Sequence, residues 1–300
     1  IYMAAISDII DYRKRANRKG GAAMRFTKMN GAGNDFLIVE NLHGELNEKQ
    51  LSCLAKTICD RHMSIGADGL MAVVPAKGGA DFGMLFFNSD GSMGEMCGNG
   101  ARCICRYGYE HGFAGETQTI ETTAGIVTGE RIDKQNYRIR LPEPTKLEYL
   151  ALDVDGKRVG CMYVELGNPG IPHAVVQYPG LREADERALF EFGKKLRYHP
   201  AFPKGANVNF IETIGKDHFY ERTWERGVED FTYACGTGTG SAIYALADKR
   251  RSGLHARVEM KGGLLLVDIV REGKKCRDLL LTGPTKLVCA GEILDEEASL

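Results

Sequence analysis

Apolar residues recur in many short β-like runs along this chain, and glycine-containing turns separate the runs. Those at 35–40, 82–87, 117–121, 138–141, 162–166, 174–177, 208–212, 219–224, 256–260 and 264–270 are rich in β-branched and aromatic residues, as half-buried strands are. A helical period appears at only four places, 47–60, 100–111, 183–196 and 240–250, the first opening on Asn47 as a capping residue. Many strands with a few isolated helices, and no regular strand–helix alternation, predict the α+β class. Pro142 and Pro144, among polar neighbours, interrupt the pattern near the middle. They predict a boundary between two domains, 24–142 and 143 onward.

Residues 1–23 place a small apolar patch before Arg13, Lys14, Arg15, Arg18 and Lys19, the reverse of the order in a secretion signal. They are set apart as an N-terminal extension, and the globular pattern starts at Met24. A hydrophobic content of 43% over 300 residues suffices for two domains, each with a buried core. The longest apolar stretches, 70–74 and 264–270, fall far short of the ~18 residues of a membrane-spanning helix. With 39 basic and 40 acidic side chains there is no general field to draw nucleic acid or an anionic membrane, which leaves small molecules or other proteins as partners and a homodimer open. The nine cysteines, at 53, 59, 97, 103, 105, 161, 235, 276 and 289, include no Cys-x-x-Cys pair. Neither a disulfide framework nor a zinc ribbon fits, so no metal is expected, and free thiols point to the reducing cytoplasm.

The most informative feature is a repeat. Met96-Cys97-Gly98-Asn99-Gly100 stands in the first half and Ala234-Cys235-Gly236-Thr237-Gly238 in the second, each followed by small and apolar residues at helical spacing. One Cys-Gly-x-Gly alone is more often a glycine turn beside a core cysteine; two copies in matched contexts shift that balance. The following segments carry neither the acidic residue of a dinucleotide site nor the Gly-Lys-Ser/Thr of a P-loop. A cysteine where a glycine loop enters a helix lies against unpaired backbone N–H groups and the positive end of the helix dipole, which stabilise a thiolate or a bound carboxylate. Two such thiols across one carbon suit proton exchange without a cofactor: one removes the α-proton as thiolate while the other delivers a proton to the opposite face. The N–H groups at both helix ends would hold the carboxylate into which the carbanion spreads.

From Met24 onward the sequence resembles the diaminopimelate epimerase family. The matching stretches are Lys28-Met29-Asn30-Gly31-Ala32-Gly33-Asn34-Asp35-Phe36, Gly66-Ala67-Asp68-Gly69, Asn88-Ser89-Asp90-Gly91-Ser92, 95–103, 121–127, Gly167-Asn168-Pro169, Ala206-Asn207-Val208, Glu225-Arg226-Gly227 and 234–238. The resemblance implies two pseudo-symmetric, strand-rich, barrel-like domains, each around a central helix, with substrate in the cleft between them. The last strand, at about 285–294, would return to the first domain, giving 24–142 plus about 285–300 and 143–284. It also implies that Cys97 and Cys235 are the acid/base pair and that His173 and Glu225 assist them. Asn34, Asn88, Asn168, Asn207 and Arg226 would bind the amino-acid substrate with the backbone of Gly98, Asn99, Gly236 and Thr237.

The activity so implied is interconversion of LL- and meso-diaminopimelate, a step towards lysine and cell-wall precursors, without pyridoxal phosphate. Proline racemases share a motif like Cys235-Gly236-Thr237-Gly238-Thr239, but the first half, with Gly33-Asn34-Asp35-Phe36 and 95–102, follows the diaminopimelate pattern. A racemase of another amino acid, such as histidine, is the nearest rival. A thiol redox or metal-binding protein lacks the expected cysteine spacing, and phenazine-biosynthesis isomerases lack the cysteine pair. Two departures flank the second half of the site: Gly170-Ile171-Pro172 separates Asn168-Pro169 from His173, and Asp230-Phe231-Thr232 with one extra residue precedes Ala234.

Two thiols that share one carbon should also reach each other when the cleft is empty. Air oxidation is expected to inactivate the protein and a reductant to restore it. Activity insensitive to oxidant, with both thiols accessible to alkylation, would contradict the pairing.

Overall fold

The β-like runs become strands in a computed structural model, which describes residues 24–94 and 97–293; the N-terminal extension and residues 294–300 lie outside it. The first half of the chain forms β1 (Met24–Gly31), β2 (Asn34–Glu40), α1 (Glu48–Ile58), β3 (Gly69–Val74), β4 (Phe82–Asn88), β5 (Met93–Gly94), α2 (Gly98–Glu110), β6 (Thr117–Thr122), β7 (Gly125–Arg131) and β8 (Asn136–Leu141). The second forms β9 (Pro144–Val154), β10 (Lys157–Leu166), β11 (Ile171–Gln177), α3 (Glu186–Arg197), β12 (Asn207–Gly215), β13 (His218–Glu225), β14 (Asp230–Thr232), α4 (Gly236–Asp248), β15 (His255–Met260), β16 (Gly263–Glu272), β17 (Lys275–Pro284) and β18 (Lys286–Ile293).

The halves repeat strand for strand. The first runs β18-β1-β2-β3-β4-β6-β7-β8 with β5 beside β4. The second runs β9-β10-β11-β12-β13-β15-β16-β17 with β14 beside β13. Each contains two parallel pairs, β2–β3 and β4–β6 or β11–β12 and β13–β15. A parallel pair needs a crossover, and the four helices supply them. The halves join where β8 pairs antiparallel with β17, with Ile139 opposite Leu281. Corresponding strands meet at corresponding residues there, so the pseudo-two-fold axis passes through this pair.

Each half-sheet curls around one helix and carries another outside, which gives the α+β, barrel-like architecture. Outer helix α1 buries only one stripe, Leu51, Leu54, Ala55 and Ile58, and starts with a capping box in which Asn47 and Gln50 exchange side-chain-to-backbone bonds of 3.0 Å. Inner helix α2 is buried continuously from Gly98 to Gly108, as a helix enclosed by sheet must be. The cores around α2 and α4 are continuous with each other through Ile139, Leu141, Leu279 and Leu281, while α1 and α3 cover separate apolar clusters.

The inner helices begin earlier than their periodicity predicts, at Gly98 and Gly236, because their first turns are glycine, asparagine and threonine, poor helix formers that carry no apolar stripe. Helix α3 begins later than 183, at Glu186, where Asp185 accepts a bond from the Ala188 N–H. Strand β3 is buried on both faces and so does not alternate. Strand β9 opens on Pro144, whose missing donor costs nothing at the first position of a strand. Among the described residues no helix is long and apolar enough to cross a membrane.

Trp224, the only tryptophan, is fully buried between Phe190, at 4.3 Å in an edge-to-face contact, and Phe231, at 5.5 Å. Trp224→Ala is expected to destabilise the protein by about 3–5 kcal/mol through loss of apolar burial and an unfilled cavity, measured by urea unfolding followed by circular dichroism.

Candidate active site

The two repeated motifs occupy the same position in their halves. Cys97 is the N-cap of α2 (φ −118°, ψ 121°) and Cys235 the N-cap of α4 (φ −123°, ψ 105°), neither side chain capping its own helix. The two thiols are therefore set against the backbone donors of the first helical turn. The helices meet tip to tip. A β-carbon built on Gly98 would stand 3.8 Å from the Gly236 Cα, and one on Gly236 would stand 3.7 Å from the Gly98 Cα and 2.8 Å from Leu281 Cδ2. Ile139 and Leu281 lie directly beneath, so the axis runs through both pairs.

Cys235 is buried and Cys97 half-buried. Burial raises the Cys97 thiol above its ordinary range, as does the charge of Glu225, while the N–H groups of Gly100 and Asn99 and the charge of Arg102 act the other way. Cys235 is raised further, by burial, Glu225 and Glu221, against the N–H of Gly238 and the Thr237 hydroxyl, whose oxygen lies 3.7 Å from Sγ. The charge of Glu225, the last residue of β13, thus acts on both thiols, and burial lifts its own carboxyl as well. A positive charge entering the site would favour the thiolate form of either cysteine.

His173, on β11 beside Asn207 of β12, is fully buried. Burial, with the charge of Arg226, pushes it down to about 3, so it is neutral at working pH. The Thr223 hydroxyl donates to Asn209 Oδ1 (3.0 Å), which turns the Asn209 amide towards His173 Nδ1 (3.2 Å). Nδ1 is then the acceptor and Nε2, which has no hydrogen-bond partner among the described residues, carries the proton. A β-carbon on Gly238 would lie 2.1 Å from Asn209 Oδ1, so this glycine makes room for the network.

The asparagines differ in setting. Asn34 Oδ1 accepts from Asn99 Nδ2 (2.6 Å), and Asn99 Nδ2 also reaches the Ala234 carbonyl across the seam (3.1 Å). Asn34 donates in turn to Asp68 (3.2 Å), which Arg61 links to Asp35. Asn207 donates to the Pro172 carbonyl (3.2 Å) and accepts from the Arg226 N–H (2.8 Å). Asn88 ends β4 and donates to Ser92. The exposed Arg226 guanidinium donates to the Lys204 carbonyl. Asn168 is exposed in the turn between β10 and β11 with a cis bond to Pro169, and it makes no side-chain hydrogen bond among the described residues. Of the segment before His173, only Gly170 belongs to that turn, since Ile171 and Pro172 are the first residues of β11. The additional residue before Ala234 lies between β13 and Tyr233, where Glu225 pairs with Asp230 around a four-residue tip.

Several contributors are not assigned from the sequence: Asp35, Asp68, Arg61, Arg102, Asn209, Glu221, Thr223 and Thr239. Asn207 and Asn209, and likewise Glu221, Thr223 and Glu225, are spaced by two along their strands, a polar stripe on one face that alternation could have revealed. Among the described residues no group of three or more His, Cys, Asp or Glu side chains is arranged to hold a metal ion.

Residues 26–144 and 166–288 match the family model described as diaminopimelate epimerase. A diaminopimelate epimerase of Aquifex aeolicus is 36% identical over 287 residues, covering 91% of this chain and 99% of the relative, and one of Methanothrix thermoacetophila is 36% identical over 290 residues, covering 91% and 97%. Among solved structures, a phenazine biosynthesis protein of the PhzF family from Bacillus anthracis superposes with a TM-score of 0.71 at 16% identity, covering 92% of this chain and all of the other. A hydroxyproline epimerase from Agrobacterium vitis with bound trans-4-hydroxy-L-proline gives 0.63 at 16% identity, covering 92% and 94%. These two share the fold, and the sequence relationship goes further: the chain belongs to the diaminopimelate epimerase family.

Proposed function

We propose that this enzyme interconverts LL- and meso-diaminopimelate by moving a proton between Cys97 and Cys235. The observation that carries this reading is the meeting of two cysteine-capped helix N-termini at Gly98 and Gly236, with the charge of one carboxylate, Glu225, acting on both thiols. The names of the relatives support the substrate. The free thiols suit the reducing cytoplasm.

In this mechanism the substrate carboxylate lies on the pseudo-two-fold axis, held by N–H groups of Gly98, Asn99, Gly236 and Thr237. One thiolate takes the α-proton and becomes a thiol. The electron pair passes into the carboxylate, where the fixed N–H donors stabilise it without reorganising. The opposite thiol delivers its proton to the other face and becomes the thiolate, so each turnover exchanges the roles of the two sulfurs. Glu225 and the Nε2 hydrogen of His173 serve the substrate amino group and the adjacent thiols, with Asn34, Asn88, Asn168, Asn207 and Arg226 holding the remaining polar groups.

Proton NMR of LL-diaminopimelate in deuterated buffer with reductant is expected to show loss of the α-proton signal and growth of the meso isomer, reduced at least 10²-fold in both Cys97→Ala and Cys235→Ala. Exchange with another amino acid, such as histidine, and none with diaminopimelate would reassign the substrate; full activity in either variant would refute the two-thiol mechanism. Because His173 is held neutral with a value of about 3, kcat/KM should show no ionisation of this imidazole near its ordinary value of 6.5. An acid limb centred there in the parent and absent in His173→Asn would show that the imidazole titrates after all.

A further inference from the structure

The pseudo-two-fold axis makes Cys97 and Cys235 equivalent in backbone, but the side chains behind them are not. Position 102 in α2 corresponds to 240 in α4, both counted from the capping cysteine. Arg102 is fully buried, donates to the Gly98 carbonyl (3.3 Å) and to Asn99 Oδ1 (2.8 Å), and has no carboxylate partner among the described residues. It fits because the neighbouring residue of β17 is Gly283, where a β-carbon would lie 2.9 Å from Arg102 Nε. On the other side of the axis the volumes are exchanged. Leu141 of β8 fills the space, and a β-carbon on Gly240 would stand 2.4 Å from its Cδ1.

Behind Cys235 the asymmetry has the opposite sign. Glu221 of β13 is buried, with Oε2 2.6 Å from the Thr239 hydroxyl, which also lies 2.9 Å from the Cys235 carbonyl, and with Oε1 unpartnered among the described residues. The corresponding residue of β4 is the apolar Met84. A buried cation therefore stands behind one thiol and a buried carboxyl behind the other, while the charge of Glu225 acts on both.

We propose that Arg102 and Glu221 are positioning residues that break the symmetry of the site, so that in the free enzyme Cys97 loses its proton before Cys235 and acts first as the base. This rests on the two-thiol reading above. An opposite charge behind a thiol favours its ionised form and a carboxylate opposes it. The other titratable groups in play are Glu225, acting on both thiols; Cys103, facing Cys97; and Arg106, facing Cys103 from the next turn of α2. Burial lifts Glu221 to about 8, so it carries its negative charge before the Cys235 thiol, held well above its ordinary range, loses its proton.

The test reads each thiol without substrate: iodoacetamide alkylation of the full chain against pH, with Cys97 and Cys235 followed separately by mass spectrometry. The pH midpoint is expected to be lower for Cys97 than for Cys235. Glu221→Gln should lower the Cys235 midpoint by about one unit, roughly a tenfold gain in thiolate, with little effect at Cys97. Arg102→Gln should raise the Cys97 midpoint, and Arg102→Lys, which keeps the charge, should restore it. Equal midpoints in the parent, or a Glu221→Gln change that moves both thiols alike, would overturn the proposal. Glu221→Gln decides the matter where Arg102→Gln fails to fold. The predicted midpoints in a protein that exchanges no amino-acid α-proton would uphold this bias while removing the epimerase reading.

Discussion

Everything in the site depends on the close approach of two helix N-termini. Helix ends of like dipole repel and each carries unpaired donors, so their contact at Gly98 and Gly236 needs both a scaffold that forces it and a backbone that permits it. The scaffold is the pairing of β8 with β17, which places Ile139 against Leu281 on the axis and fixes the half-sheets around α2 and α4. The permission is the lack of a side chain: a β-carbon on Gly236 would meet Leu281 Cδ2 at 2.8 Å. The unfavourable alignment of positive ends becomes useful once an anion lies between them, and in the proposed reaction that anion is the substrate carboxylate.

The Cα-level contact also explains why both motifs run Cys-Gly. Asn99 takes up a different task, bonding Asn34 in its own half and the Ala234 carbonyl in the other. The β1–β2 hairpin adds a second tie, since a β-carbon on Gly33 would stand 2.2 Å from Tyr233 Cβ and one on Gly262 1.9 Å from the Ala32 carbonyl oxygen. At Gly33, with φ 98°, both the conformation and the contact require glycine.

How far the sequence discloses this follows from what each residue depends on. The cysteines and glycines are legible because their role is local, a loop entering a helix, and the chain states it twice. Strand β13 is legible because one face alternates, whereas β3 carries no alternation because both of its faces are buried. Arg102 falls within a quoted motif, yet its burial depends on Gly283, a residue far along the chain that the fold alone brings near. Asn209 and Glu221 are hidden for a similar reason: each is a polar residue on an inward strand face, and its meaning comes from the helix that face covers. The two departures that flank His173 and Cys235 prove to be strand and hairpin residues, placed by pairing with Glu165 and Glu225.

An inverting enzyme also has reason to be only partly symmetric. Inversion at one carbon moves a hydrogen from one face to the other, and two equivalent thiols on opposite sides of an axis suit that movement. The other three substituents stay nearly in place, and they differ from one another. A carboxylate can lie on the axis and use both helix ends alike, but the amino group and the side chain must lie off it, where matching contacts on both sides would hold the substrate in two competing orientations. The structure is symmetric on the axis and asymmetric away from it. Strand pairing sets His173 at the place of Phe36, Asn207 at the place of Gly69, and Glu225 at the place of Asn88. In the proposed reaction the repeated fold provides the two proton carriers, and the divergence of its halves provides the single orientation in which they act on one carbon.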